Sequence, residues 1–141
     1  VKPGANLLDI NRASQRVLAQ GLADMGVLTI SAEESMQPDV GLHRRWTLHG
    51  VSHHLGLDVH DCDKARDENY RGGILREGMV LTVEPGLYIQ PDDELFAPEY
   101  RGIGIRIEDD VIVTADGCRN LSEDIPRHPD AIEAWMASIL G

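Results

Sequence analysis

His49, His53 and His60 lie at offsets of four and seven in His49-Gly50-Val51-Ser52-His53-His54-Leu55-Gly56-Leu57-Asp58-Val59-His60-Asp61, a run with few charges and two glycines. Two glutamates follow in equally marked settings. Glu84 closes Val80-Leu81-Thr82-Val83 just before Pro85-Gly86, and Glu108 closes Gly102-Ile103-Gly104-Ile105-Arg106-Ile107. One neutral imidazole and two carboxylates form a partial shell for a divalent metal, and the other histidines titrate close enough to neutrality to handle protons. The chemistry this set points to is metal-dependent hydrolysis.

Those residues need strands to hold them. Ile103, Ile105 and Ile107 alternate with Gly104, Arg106 and Glu108, the period of a half-buried strand. The pattern predicts isoleucines packed into the core and Arg106 and Glu108 projecting together from the other face, with Gly104 leaving room for close approach. Met79 to Glu84 reads as a strand ending at Pro85-Gly86, with a shorter strand from Leu87 to Gln90 and another from Val111 to Thr114 that ends in an Asp116-Gly117 turn. Short β segments are expected from Arg45 onward, interrupted by polar loops over 61–73 and 91–98. Helical spacing of Leu7, Ile10, Val17, Leu18, Leu22 and Met25 predicts an amphipathic helix from Asn6 to Met25, capped by Asn6 and ended by Gly26. Ser31 and Glu34 carry a capping pattern for a second, short helix. A C-terminal helix is marked by Ile132, Trp135, Met136, Ile139 and Leu140. Trp46 and Trp135 read as core anchors, His43 and His128 as surface residues.

Bulk properties narrow the partners. The 141 residues are one domain's worth of chain, and 42% apolar residues fit a globular core. A formal charge of −11 argues against a nucleic-acid partner, which would need clustered Lys and Arg. No apolar run approaches the roughly 20 residues a bilayer-spanning helix needs. Cys62 and Cys118 show no metal or disulfide spacing and read as reduced thiols of a cytoplasmic protein.

Three segments in this order, HGVSHHLGLDVHD, GMVLTVEPGLYI and YRGIGIRIEDDVIVT, closely resemble the C-terminal part of Xaa-Pro aminopeptidase (aminopeptidase P). The similarity runs from Lys2-Pro3-Gly4 to the last helix. It implies the α+β "pita-bread" fold of the creatinase and methionine aminopeptidase superfamily, with a curved antiparallel sheet and flanking helices. It also implies that residues 1–141 are the C-terminal part of the peptidase domain, without an N-terminal domain and the first half of the catalytic domain.

Carried over position by position, the resemblance assigns His53, Glu84 and Glu108 as metal ligands, with Glu108 bridging two divalent ions. Carboxylate-rich ligation favours Mn(II), with Co(II) or Zn(II) compatible. Catalytic roles fall to His60, His49, Glu84 and Arg106, and substrate contacts to His49, His60, Tyr88 and Arg106. The implied reaction is attack of a metal-activated hydroxide on peptides with proline at the second position. His54 departs from the aromatic residue common in the family. Two further aspartate ligands and another histidine lie upstream of the matching segment, so the chain alone is expected to be inactive. A sheet lacking its other half is expected to seek a second copy, giving a homo-oligomer. Prolidase, with the same metal shell, and a catalytically silent binding module of this fold are the competing readings.

Overall fold

The computed structural model describes residues 1–140. In chain order the elements are α1 (Leu7–Asp24), α2 (Ala32–Ser35), a 3-10 turn (Leu42–Arg45), β1 (Val80–Val83), β2 (Gly86–Tyr88), a second 3-10 turn (Pro98–Tyr100), β3 (Gly104–Arg106), β4 (Asp109–Val113), β5 (Cys118–Asn120) and α3 (Pro129–Leu140).

Helix α1 starts where the sequence predicts. The Asn6 side chain accepts from Asp9 N–H at 2.9 Å, and the Asp9 carboxylate accepts from Asn6 N–H at 3.2 Å. Such caps contribute about 1 kcal/mol. Gly26, at φ +72°, takes the left-handed conformation after the helix end. The buried stripe is Leu7, Ile10, Gln15, Ala19 and Leu22. Val17 and Met25, expected on it, are exposed. Val17 lies two residues, about 200° of helix rotation, from Gln15. Gln15 takes the buried place because its Oε1 accepts the Thr47 hydroxyl at 2.8 Å.

Ser31 caps α2 as expected, accepting from Glu34 N–H at 3.1 Å. The 3-10 turn at Leu42–Arg45 was not anticipated, nor was burial of His43. The His43 ring is buried because its Nδ1 lies 2.9 Å from Ser35 Oγ and 3.0 Å from Ser35 O, and its backbone N–H donates to the same Oγ at 2.9 Å. Burial holds this imidazole below its ordinary value, opposed by its hydrogen bond to the Ser35 carbonyl and reinforced by Arg44.

Strands do not begin near Arg45. The first is β1, and the preceding His49–Leu55 run instead lies along its edge as irregular backbone. Leu55 N–H donates to Val80 O, Thr82 N–H to His53 O and Glu84 N–H to Val51 O, at 2.8–3.0 Å. The sheets have the orders β1-β4-β5 and β2-β3, all antiparallel. Strand β5 was missed in the sequence; its three residues carry no hydrophobic alternation.

One register runs through both sheets. Val83 faces Asp109 and Gly86 faces Arg106, with Ile107 N–H donating to Pro85 O between them. Leu81, Val111 and Val113 on one sheet face join Leu7, Ile10, Val51, Tyr70 and Leu75 in the main core. A second cluster gathers Leu22, Val27, Leu28, Trp46, Ile89 and Phe96. Trp46 is fully buried, as expected, and its indole N–H donates to the buried Asp93 at 2.6 Å.

Two apolar expectations fail. Ile103, Ile105 and Ile107 are 41–58% exposed. Strand β3 is an edge strand of a two-stranded ribbon, and the second core cluster packs under Leu87 and Ile89 of the partner side. Trp135 is also exposed, because α3 has no buried residue. The segment before α3 is fixed by Arg127, which clasps both carboxylate oxygens of Asp109. That clasp, with Asn120 assisting, holds the Asp109 carboxyl below its usual range.

Candidate metal centre

The common register carries the site. Continuing it past Val83 and Asp109 puts Glu84 opposite Glu108, and the next pair on that face is Gly86 and Arg106. Alternation at two-residue spacing therefore brings Glu84, Glu108 and Arg106 to one side of the ladder. The irregular edge run supplies His53. One ligating atom each from His53, Glu84 and Glu108 lies within 4.8 Å of the others, the only such group of three among the described residues. Glu84 is buried, whereas Glu108 is exposed rather than set among apolar neighbours.

Hydrogen-bond accounting limits what can occupy the centre. His53 Nδ1 is 3.0 Å from His54 O, a carbonyl that can only accept, so Nδ1 carries a proton. His53 Nε2 then points at Glu84 Oε1, 3.1 Å away. An imidazole lone pair and a carboxylate oxygen at that distance repel unless a proton or a cation lies between them. Arg106 Nη1 sits 3.6 Å from Glu84 Oε2 and compensates only the other oxygen. A divalent cation bound by Nε2 and the two carboxylates satisfies all three donors, and the Nδ1 contact fixes the tautomer that such binding needs. The residues fit a metal.

Around this centre lies an open cleft of about 590 Å³, within the range of small-ligand sites. His49, His53, His60, Glu84 and Arg106 all line it. The His60 ring stands edge-on to His53, centroids 4.4 Å apart. His49 Nδ1 is 2.7 Å from Gly50 O and its Nε2 is 2.7 Å from the Tyr88 hydroxyl. The Gly50 carbonyl accepts from Nδ1–H, so in the neutral imidazole Nε2 accepts from the Tyr88 hydroxyl. Two glycines make space for Tyr88. A Cβ on Gly86 would meet the Tyr88 hydroxyl at 2.5 Å, and one on Gly104 would meet its Cδ1 at 2.9 Å. The room at Gly104 expected from the sequence is thus occupied by Tyr88.

A model of metallopeptidase family M24 matches residues 1–115. The chain belongs to that family. It is 57% identical over 141 residues to Xaa-Pro aminopeptidase 1 of Streptomyces coelicolor, covering 100% of this chain and 28% of that protein. It is 44% identical over 137 residues to Xaa-Pro aminopeptidase of Escherichia coli, covering 97% of this chain and 30% of that one. Among solved structures, proline aminopeptidase P II of Yersinia pestis superposes with a TM-score of 0.83 at 45% identity, over 96% of this chain and 30% of that one. Aminopeptidase PepP of Pseudomonas aeruginosa gives 0.85 at 39%, over 98% and 30%. The mixed α+β architecture, with its curved sheet and flanking helices, is the pita-bread fold of these aminopeptidases. The chain spans only 28–30% of the length of these relatives.

His54 does not line the cleft. Its ring lies edge-on to Tyr70 at 5.3 Å, and burial first of all holds it below its ordinary value. Two residues at the site were passed over in the sequence, Thr82 and Gln15. Thr82 precedes Glu84 by two positions and shares its strand face, a signal that was available. Gln15, on a helix in the sequence, gave none.

Proposed function

We propose that this chain is the C-terminal part of the catalytic domain of a metal-dependent Xaa-Pro aminopeptidase, which releases the N-terminal residue from peptides with proline at the second position. The convergence of His53, Glu84 and Glu108, with His53 and Glu84 lining a cleft shared with His49, His60 and Arg106, is the observation that carries this reading. The remaining ligands, an N-terminal domain and the first half of the catalytic domain are proposed to belong to the full-length protein, in keeping with the short span of its relatives that this chain matches.

His53, Glu84 and Glu108 would hold the metal. When bound, divalent metal supplies Lewis acidity and lowers the pKa of coordinated water. Two ions, with Mn(II) preferred and Co(II) or Zn(II) accepted, are the proposed complement of the full-length protein, and this chain's three donors suit weak binding of a single ion. Glu84 is the proposed acceptor of a proton from water in the cleft. Arg106 neutralises its Oε2 and holds the carboxylate in place. His60, beside His53, is the proposed donor to the leaving proline nitrogen. His49 and Tyr88 form the proposed substrate wall, with the Tyr88 hydroxyl orienting the imidazole. Proline has no amide N–H and a fixed φ, so its recognition relies on shape rather than on a hydrogen bond at that nitrogen.

The exposed Ile105 of β3, the flanking Ile103 and Ile107, and the apolar residues of α3 are proposed to be covered in the working protein, in a homo-oligomer or by the rest of the polypeptide. Exposed, free Cys62 and Cys118 suit a reducing, cytoplasmic setting. No helix among the described residues is long and apolar enough to cross a membrane.

The test is turnover by the full-length protein with Mn(II). Release of the first residue from Xaa-Pro-Yaa tripeptides is expected. Preference for Xaa-Pro dipeptides would instead make it a prolidase, and no turnover of either would favour a binding module.

A further inference from the structure

Among the described residues, Thr82 is the one buried hydroxyl that touches two of the three candidate ligands. It is 2% exposed and sits on β1, two residues before Glu84 and on the same strand face. Its Oγ1 lies 3.2 Å from His53 N and 3.0 Å from Glu84 Oε1. The chemistry of the partners fixes the direction of each bond. A backbone N–H can only donate, so Oγ1 accepts from His53. An ionised carboxylate can only accept, so the hydroxyl proton goes to Glu84.

Both capacities are spent inside the site. A hydroxyl buried at this depth costs free energy unless it is bonded, and here neither bond serves the sheet. The sheet pairing is made by Thr82 N–H, which donates to His53 O at 3.0 Å. The side chain adds a second tie between β1 and the irregular run along its edge. It binds the backbone that carries one ligand to the carboxylate oxygen of the other, the oxygen that also faces His53 Nε2 at 3.1 Å.

We propose that Thr82 is a positioning residue of the metal centre, its hydroxyl setting the spacing of His53 and Glu84 and turning Glu84 Oε1 toward the metal. The inference rests on the reading of His53, Glu84 and Glu108 as metal ligands. Threonine suits the task better than a longer polar side chain, because its branched Cβ restricts χ1 and leaves the hydroxyl little freedom. A donor held this way reduces the reorganisation needed when metal binds. Outer contacts of this kind are worth on the order of 10–100-fold in metal affinity.

The experiment is Mn(II) calorimetry on the full-length protein, with a melting curve recorded without metal for each variant. Thr82→Val replaces the hydroxyl by a methyl group at nearly equal volume. Thr82→Ser and Thr82→Ala form a second pair, both lacking the threonine methyl and differing only in the hydroxyl. Affinity is expected to fall on the order of 10-fold in Thr82→Val and Thr82→Ala, and to be retained in Thr82→Ser. If Thr82→Val does not fold, the Ser and Ala pair decides. Equal affinity in Ser and Ala variants overturns the proposal. Glu84→Ala serves as the control: if it weakens binding while Thr82→Val and Thr82→Ala do not, the inference fails and the ligand reading stands. If Glu84→Ala also binds Mn(II) like the wild type, the ligand reading itself is wrong and the inference falls with it.

Discussion

Glu84 and Glu108 face each other across an antiparallel ladder whose register is unbroken from Val80 and Ile112 through Tyr88 and Gly104. Two carboxylates in that relation repel, and Arg106, 3.6 Å from Glu84, is the only Lys or Arg ion-paired with Glu84 among the described residues. The arrangement makes sense when a divalent cation shares the two acids with His53.

Removing Glu108 therefore has a specific consequence. In the full-length protein Glu108→Ala is expected to abolish turnover and to lower Mn(II) affinity by more than about 100-fold, beyond the loss an outer contact causes. Arg106→Ala is expected to impair turnover with a smaller loss of metal. Metal content after dialysis and peptide turnover would be compared. Retention of both by Glu108→Ala would refute the ligand assignment.

Gly104 tests the wall of the cleft. Its missing Cβ leaves the place that the Tyr88 ring occupies, only 2.9 Å from where a Cβ would stand. Gly104→Ala should displace the ring and stretch the 2.7 Å contact between Tyr88 and His49. Turnover is expected to fall on the order of 10–100-fold, as for small misplacements of positioning groups, with metal content unchanged. Wild-type turnover in this variant would remove Tyr88 and His49 from the mechanism.

The strands around the site were legible because alternation of isoleucines with Gly104, Arg106 and Glu108 survives into the structure. The α1 cap was legible for a similar local reason, with both halves of the Asn6–Asp9 pair in the sequence. Burial was not. Ile105 and Trp135 have core-type side chains but lie on elements with nothing packed over them. His43 and Gln15 are polar yet buried, each through a partner on another element, Ser35 eight residues away and Thr47 thirty-two. Hydrophobicity ranks residues; long-range contacts decide which are covered. The placement of His53 beside Glu84 also depends on such contacts, since the run that carries it forms no regular strand.

His43 gives the pH dependence a sign. Its folded-state pKa is lowered from 6.5 by burial. Between the lowered value and 6.5 the unfolded chain binds the proton that the native state refuses, so stability is complete above that window and declines as pH falls through it. His54 is lowered too and acts in the same direction. Melting temperatures from about pH 7.5 to about pH 5.5 should therefore fall in the wild type and fall less in His43→Gln. Parallel curves for the two proteins would show that His43 does not contribute. Asp93 acts at lower pH. Burial raises it, but the hydrogen bonds from Trp46 and Arg45 outweigh that and leave it lowered, so its stabilisation is present above 3.8 and lost as pH falls through its folded value.

The central claim is that His53, Glu84 and Glu108 hold a divalent metal. Anomalous scattering from a crystal of the full-length protein loaded with Mn(II) tests it most directly. The account predicts a peak at ligand distance from His53 Nε2 and from a carboxylate oxygen of each glutamate. A fully loaded crystal whose peaks all lie elsewhere, with His53 Nε2 still turned to Glu84 and nothing between them, would contradict it.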